Sequence, residues 1–192
     1  MDATAKRSPY QYHPLLSEEN QIRLIRLMPS KDKNATIECR LFNYSLNPGK
    51  GIHLYEALSY VWGDAKETVS INLDKRFCDV TKNLYAALLR LRDDYFDRIL
   101  WVDAICINQM DEREKEKQIW LMSRIYGHAS RVIVWLGNSE SAHGENSDRV
   151  LEEICAIAEK GHAEYPDNQI IRQEILTLLQ RPWFRRVWVS EL

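Results

Sequence analysis

Residues Ile99-Leu100-Trp101-Val102-Asp103-Ala104-Ile105 form a near-continuous apolar run of strand length, broken once by Asp103. A second run, Val132-Ile133-Val134-Trp135-Leu136, ends at Gly137. A strand that must hide apolar side chains on both faces needs cover on both, which is the condition of a sheet sandwiched between helices. Helical spacing occurs between and beside these runs. Leu84, Leu88, Leu91 and Tyr95 share one face behind Thr81, a capping residue, and Ile119, Met122, Ile125, Tyr126 and Ala129 share another behind Asp111. Asp111 and Glu114 have the spacing of a capping box, and Glu112 to Lys117 is a mixed-sign stretch expected on a solvated face, with Gln118 also at the surface by default.

Shorter alternating segments precede them. Ile37, Cys39 and Leu41 alternate with polar neighbours, Leu54 to Val61 is a further strand, and Val69–Leu73 with Phe77–Val80 suggests a hairpin about Asp74-Lys75-Arg76. Val150, Ile154, Ile157 and Ala158 suggest a helix, as do Ile171, Ile175, Leu178 and Leu179; Pro182 opens a further short one. Strands alternating with helices predict an α/β fold with a mostly parallel sheet flanked by helices and an added N-terminal strand or hairpin region. Residues 1–35, with Pro9 and Pro14 and little periodicity, form an arm and lead-in, and 36–192 the domain itself.

Composition removes several classes of function. The formal charge of −2 offers no broad field for nucleic acid or anionic lipid. The chain lacks an apolar run near the roughly 18 residues that span a bilayer. Four cysteines without a C-x-x-C pair argue against zinc and for free thiols in a reducing, cytoplasmic setting; no metal is expected. Cys106 has no adjacent base, so its default is buried packing.

In parallel sheets ligands gather at the carboxyl ends of strands. There the sequence places Ser59 to Asp64, Asp103 to Asp111 and the stretch after Gly137. Tyr60 and Trp62 offer flat rings for a base or nicotinamide, with core packing as the alternative. Ser59 can donate to a phosphate or ribose beside Gly63, which permits close backbone approach; equally, the pair can form a structural turn. Asp103 is a carboxylate in an apolar strand and needs a partner, either a ligand or a neighbouring donor. Arg185 and Arg186 can hold a pyrophosphate or pair with Asp103 or Asp64.

Three stretches carry a family resemblance: Tyr55-Glu56-Ala57-Leu58-Ser59-Tyr60-Val61-Trp62-Gly63; Leu100 to Gln109 with Asp111, Glu114, Gln118, Met122, Ile125-Tyr126, Ala129 and Val134 to Gly137; and Arg181-Pro182-Trp183-Phe184-Arg185-Arg186-Val187-Trp188. Together they resemble the heterokaryon incompatibility (HET) domain of filamentous fungi, from about Tyr55 onward. The resemblance implies an effector of non-self recognition that triggers programmed cell death, the N-terminal fragment of a longer protein, with other incompatibility proteins, receptor domains or further copies of itself as partners. It also implies a distant TIR-like (flavodoxin-like) fold, since Glu56 to Asp64 looks like the first-strand pattern of TIR domains, many of which cleave NAD with a carboxylate. On that resemblance Ser59, Tyr60, Trp62, Gly63, Asp103, Arg185 and Trp188 would bind substrate, NAD or NADP, and Glu191 would be catalytic, with no resident cofactor. Where the family ends on Trp-x-x-Gln-Glu, this chain reads Trp188-Val189-Ser190-Glu191-Leu192. Either Glu191 acts after a shift of one helical residue, about 100° around the axis, or the acid is missing here. The competing functions are a signalling module that kills through self-assembly alone and a sensor that binds nucleotide without cleaving it.

Overall fold

The computed structural model describes residues 9–15, 20–46, 53–137, 150–152, 154–156 and 169–185. The chain divides into two compact units, Met1–Trp135 and Leu136–Leu192.

The first unit is a seven-stranded sheet with helices packed on it. Its strands are β1 Gln21–Leu27, β2 Glu38–Ser45, β3 His53–Tyr60, β4 Thr68–Leu73, β5 Arg76–Thr81, β6 Arg98–Trp101 and β7 Ala129–Trp135, in the order β5-β4-β2-β1-β6-β3-β7. β3 runs parallel to both β6 and β7, and β2 parallel to β4; the β1–β2, β1–β6 and β4–β5 pairs are antiparallel. The sheet is therefore mixed, not mostly parallel. The N-terminal strands and the hairpin, expected as an addition to the sheet, are built into it. A short connection can only turn a strand back beside its predecessor, whereas a parallel neighbour needs a long crossover. Each parallel pair is joined that way: β2 to β4 through β3, β3 to β6 by a route that includes α1 (Lys82–Leu91), and β3 to β7 by one that also includes α3 (Glu112–His128).

β1 lies between β2 and β6, and its Ile22, Leu24, Ile25 and Leu27 are all buried, so both faces are covered along most of the strand and only Arg26 is exposed. The β4–β5 turn places Asp74 at φ 50° and Lys75 at φ 67°. Two successive left-handed residues match the twist of the flanking strands, so the hairpin forms without the glycine usual there. Thr81 caps α1 by accepting the Leu84 N–H at 3.3 Å. α1 stops at Leu91, and the expected fourth face residue, Tyr95, lies in an exposed loop. Arg92 explains the stop: its guanidinium donates to the carbonyls of Ala35 (2.8 Å), Asp32 (3.1 Å) and Lys33 (2.9 Å), which fixes the β1–β2 connection against the helix end.

The long apolar run also divides. β6 ends at Trp101, and Asp103–Cys106 forms a single turn, α2. Asp111 caps α3 through the N–H groups of Arg113 and Glu114, both at 3.1 Å. Glu114 and Gln118 correct the expectation of a fully solvated charged face, since both are buried. Instead of completing a capping box, the Glu114 carboxylate receives Arg23 and the Asn108 N–H, and Gln118 donates to the Gln21 carbonyl at 2.8 Å. β7 is the sheet edge among the described strands, and Val132 and Val134 are 45% and 40% exposed, contrary to the expectation of a buried strand. The core centres on Trp101, whose ring meets Tyr126 edge-on at 5.4 Å, and on Tyr55, whose hydroxyl donates to the Ile125 carbonyl at 2.6 Å.

In the second unit, residues 150–152 and 154–156 are helical, α4 spans Gln169–Leu179, and Pro182–Arg185 forms a 3₁₀ turn. The Phe184 N–H closes that turn on the Arg181 carbonyl at 3.1 Å. Among the described residues no helix is long and apolar enough to cross a membrane.

Candidate functional site

β3, β6 and β7 run parallel, so their carboxyl ends open on one edge of the first unit. Four side chains are tied together there. The Trp62 indole Nε1–H donates to Asp103 Oδ2 at 2.8 Å, and the Ala104 N–H donates to Asp103 Oδ1 at 2.7 Å. Asn83, in the first turn of α1, donates from Nδ2 to the Val61 carbonyl at 2.5 Å and accepts the Trp135 Nε1–H on Oδ1 at 2.9 Å. One amide thus joins a helix start, the chain leaving β3 and the end of β7.

Gly63 sits at φ 82°, and a Cβ placed there would stand 3.3 Å from the Asn83 Cβ. Both the left-handed backbone and the close approach of α1 require glycine. The turn it makes leaves Trp62 41% exposed while its N–H edge faces a carboxylate that is only 8% exposed. Behind Asp103, Gln109 Nε2 donates to the Asp103 carbonyl at 3.0 Å. Arg23 reaches the same segment from β1 through the Cys106 carbonyl at 3.1 Å.

The structure brings Trp62, Gly63 and Asp103 together at this edge. Among the partners of Asp103 are the Trp62 indole and the Ala104 backbone N–H, which is how a carboxylate in an apolar strand is kept from being left uncompensated. Ser59 is half-buried on β3, in register with Val134. Tyr60 is packed in the core at 1% exposure and presents no ring face at the surface, whereas Trp62 is 41% exposed. Arg185 is exposed in the 3₁₀ turn of the second unit. Trp188 and Glu191 lie outside the described residues.

Burial, reinforced by the nearby Asp103 charge, pushes the Cys106 thiol up to about 12, so it stays protonated and inert at neutral pH. Among the described residues no group of three His, Cys, Asp or Glu side chains is placed to hold a metal ion. At this edge the arrangement can stack a flat ring on Trp62 and fix that ring's direction.

Asn83 and Trp135 belong to this edge and were not singled out by sequence. An asparagine two residues after a capping threonine, and a tryptophan ending a strand parallel to β3, were the available signals. Arg23 and Glu114 were missed as well, although an arginine inside the apolar strand Gln21–Leu27 raises the same question of a buried partner as Asp103 does.

Comparison with known proteins identifies the family. The model of the heterokaryon incompatibility protein (HET) family matches residues 55–191. The chain is 27% identical over 230 residues to heterokaryon incompatibility protein 6, OR allele, of Neurospora crassa, an alignment that covers 95% of this chain and 33% of that protein. The chain therefore spans about a third of the length of this curated relative. No solved structure matches it. The family match covers well over half of the chain, from β3, which leads into Trp62, to the segment after the 3₁₀ turn, and the chain belongs to the heterokaryon incompatibility (HET) family.

Proposed function

We propose that this chain acts in fungal incompatibility as a cell-death effector that binds NAD(P)+ at the carboxyl edge of β3, β6 and β7 and cleaves its nicotinamide–ribose bond. The observation that carries the reading is Trp62, half-exposed at that edge with its N–H anchored on buried Asp103. Support also comes from the position itself, the customary ligand site of parallel strands, and from the family, whose relative is named for incompatibility.

The chemistry asks little of the protein. The C–N bond breaks with its electron pair leaving on nicotinamide, which departs neutral from a cationic ring, so no general acid is needed. Water adds to the ribose carbon and releases a proton, giving ADP-ribose or its phosphate. One carboxylate suffices to stabilise the oxocarbenium-like transition state, as in glycoside hydrolysis. On the family resemblance Glu191 is the residue assigned that task; at the strand edge Trp62 is the stacking surface and Ser59 a polar contact.

A nucleotide sensor without turnover is favoured by one observation: Asp103 accepts from Trp62 and Ala104 on its two oxygens and so is engaged in structure. A single experiment separates the readings. NAD and NADP loss is followed by mass spectrometry across protein concentration and after forced oligomerisation, with calorimetric titration alongside. The effector reading expects turnover that E191A abolishes and W62A weakens. Binding without product selects the sensor; neither binding nor loss overturns both and leaves a module that acts through assembly alone.

A further inference from the structure

The Trp62 side chain has no N–H left for a ligand, because its indole Nε1–H already donates to Asp103 Oδ2 at 2.8 Å. What the residue offers outward is the indole π surface, at 41% exposure. An indole face is already the most electron-rich of the aromatic side chains and the best partner for a cation. A hydrogen bond from its N–H to an anionic acceptor polarises the ring further, pushing electron density towards its faces. The acceptor here is buried, so its charge is screened less than that of a surface carboxylate. The carboxylate itself lies one hydrogen bond from the ring edge and attracts any cation seated on that ring.

We infer that Asp103 acts as a positioning and tuning residue that makes Trp62 selective for a cationic planar ring, so that the site distinguishes an oxidised pyridinium from a neutral ring of the same size. The inference rests on the nucleotide reading of this edge for its ligand class and adds the basis of discrimination: charge and flatness, not hydrogen bonding. Oxidised nicotinamide nucleotides carry that charge in the ring. Their reduced forms do not.

The test compares this chain's binding of N-methylnicotinamide cation with neutral nicotinamide by ligand-observed NMR, and of NAD+ with NADH by calorimetry. The expected result is a preference of about three- to thirtyfold for the charged ring, the range of a cation–π contact between exposed and desolvated settings. D103N keeps an acceptor for the indole but removes its charge, and is expected to bring the preference below about twofold. W62L removes the ring and is expected to abolish it. Since Trp62 is half-exposed, W62L keeps the test decisive even if D103N fails to fold. Equal binding of the two rings by the native chain, a preference that survives W62L, or no binding of either ring overturns the inference. Cleavage of NAD+ without ring discrimination removes this inference and leaves the proposed activity standing; discrimination without cleavage does the reverse.

Discussion

Arg23 and Glu114, 91 residues apart, meet in the interior as a two-point ion pair, Nη1 to Oε1 at 2.5 Å and Nη2 to Oε2 at 2.9 Å. Arg23 also donates to the carbonyls of Cys106 (3.1 Å) and His13 (2.7 Å), and its guanidinium lies 5.1 Å from the centre of the Tyr12 ring. Glu114 Oε1 accepts the Asn108 N–H at 2.7 Å in addition. Both charges are thereby supplied with fixed partners, the condition under which a buried pair is tolerated. The pair pins the segment from α2 to the start of α3, and that segment carries Asp103. Sheet position and site geometry therefore share one anchor.

Replacing one member strands the other. E114Q leaves the guanidinium with a neutral partner, and R23M leaves an unpaired buried carboxylate; each is expected to lower unfolding free energy by about 3–5 kcal/mol. The double variant R23M/E114Q, which leaves neither charge stranded, is expected to cost clearly less than the sum. Urea denaturation of the four proteins checks this, and a loss under about 1 kcal/mol for both single variants would contradict the role given to the pair.

At Gly63 two effects act in the same direction. An alanine Cβ would meet Asn83 at 3.3 Å, and the φ of 82° disfavours any L side chain. G63A is expected to destabilise the fold by about 1–2 kcal/mol and to weaken ring binding, because Trp62 is aimed by this turn. An unchanged denaturation midpoint together with unchanged binding would show that the turn is not under this constraint.

N83A removes an amide that satisfies both the Val61 carbonyl and the Trp135 indole N–H. The expected cost is about 1–3 kcal/mol, the range for leaving half-buried polar groups unmatched. Trp135 emission is expected to shift as its N–H partner is lost. A shift without loss of stability would mean water replaces the amide fully; neither effect would remove Asn83 from the edge.

How far this was legible in the sequence depended on how local each signal was. Thr81 and Asp111 as caps, the hairpin about Asp74, and Asp103 as a carboxylate in need of partners could all be read from residues near one another. The direction of neighbouring strands could not, because pairing of β1 with both β2 and β6 is decided by segments far apart in the chain. The same reason hid the Arg23 partner. Apolar content alone misplaced residues at element ends: Ile99 to Ile105 reads as one strand, yet the chain leaves the sheet after Trp101 and turns helical at Asp103. Val132 and Val134 read as buried because periodicity reports how apolar a strand is, not which position it takes in the sheet. Tyr60 and Trp62 look alike in sequence, and only the end of β3 separates the buried ring from the exposed one.

The thiols give a pH dependence with a fixed sign. Burial pushes Cys78 up to about 11 and Cys106 up to about 12, and raises Cys39 as well, whereas Cys155 is exposed. The native protein is therefore expected to react with iodoacetamide at pH 8 fast at Cys155 and slowly at the other three, and at all four in denaturant. For each raised thiol the folded state holds its proton more tightly than the unfolded chain. Its contribution to stability is complete below the unfolded value, 9.0, and is lost as pH rises towards about 11 for Cys78. The slope is at most about 1.4 kcal/mol per pH unit per thiol. Urea midpoints measured from pH 8 to 10.5 are expected to fall, and C78S to flatten the fall. A midpoint that rises with pH, or fast labelling of Cys106 in the native protein, would mean that these sulfurs are not sealed in the core that carries the candidate site.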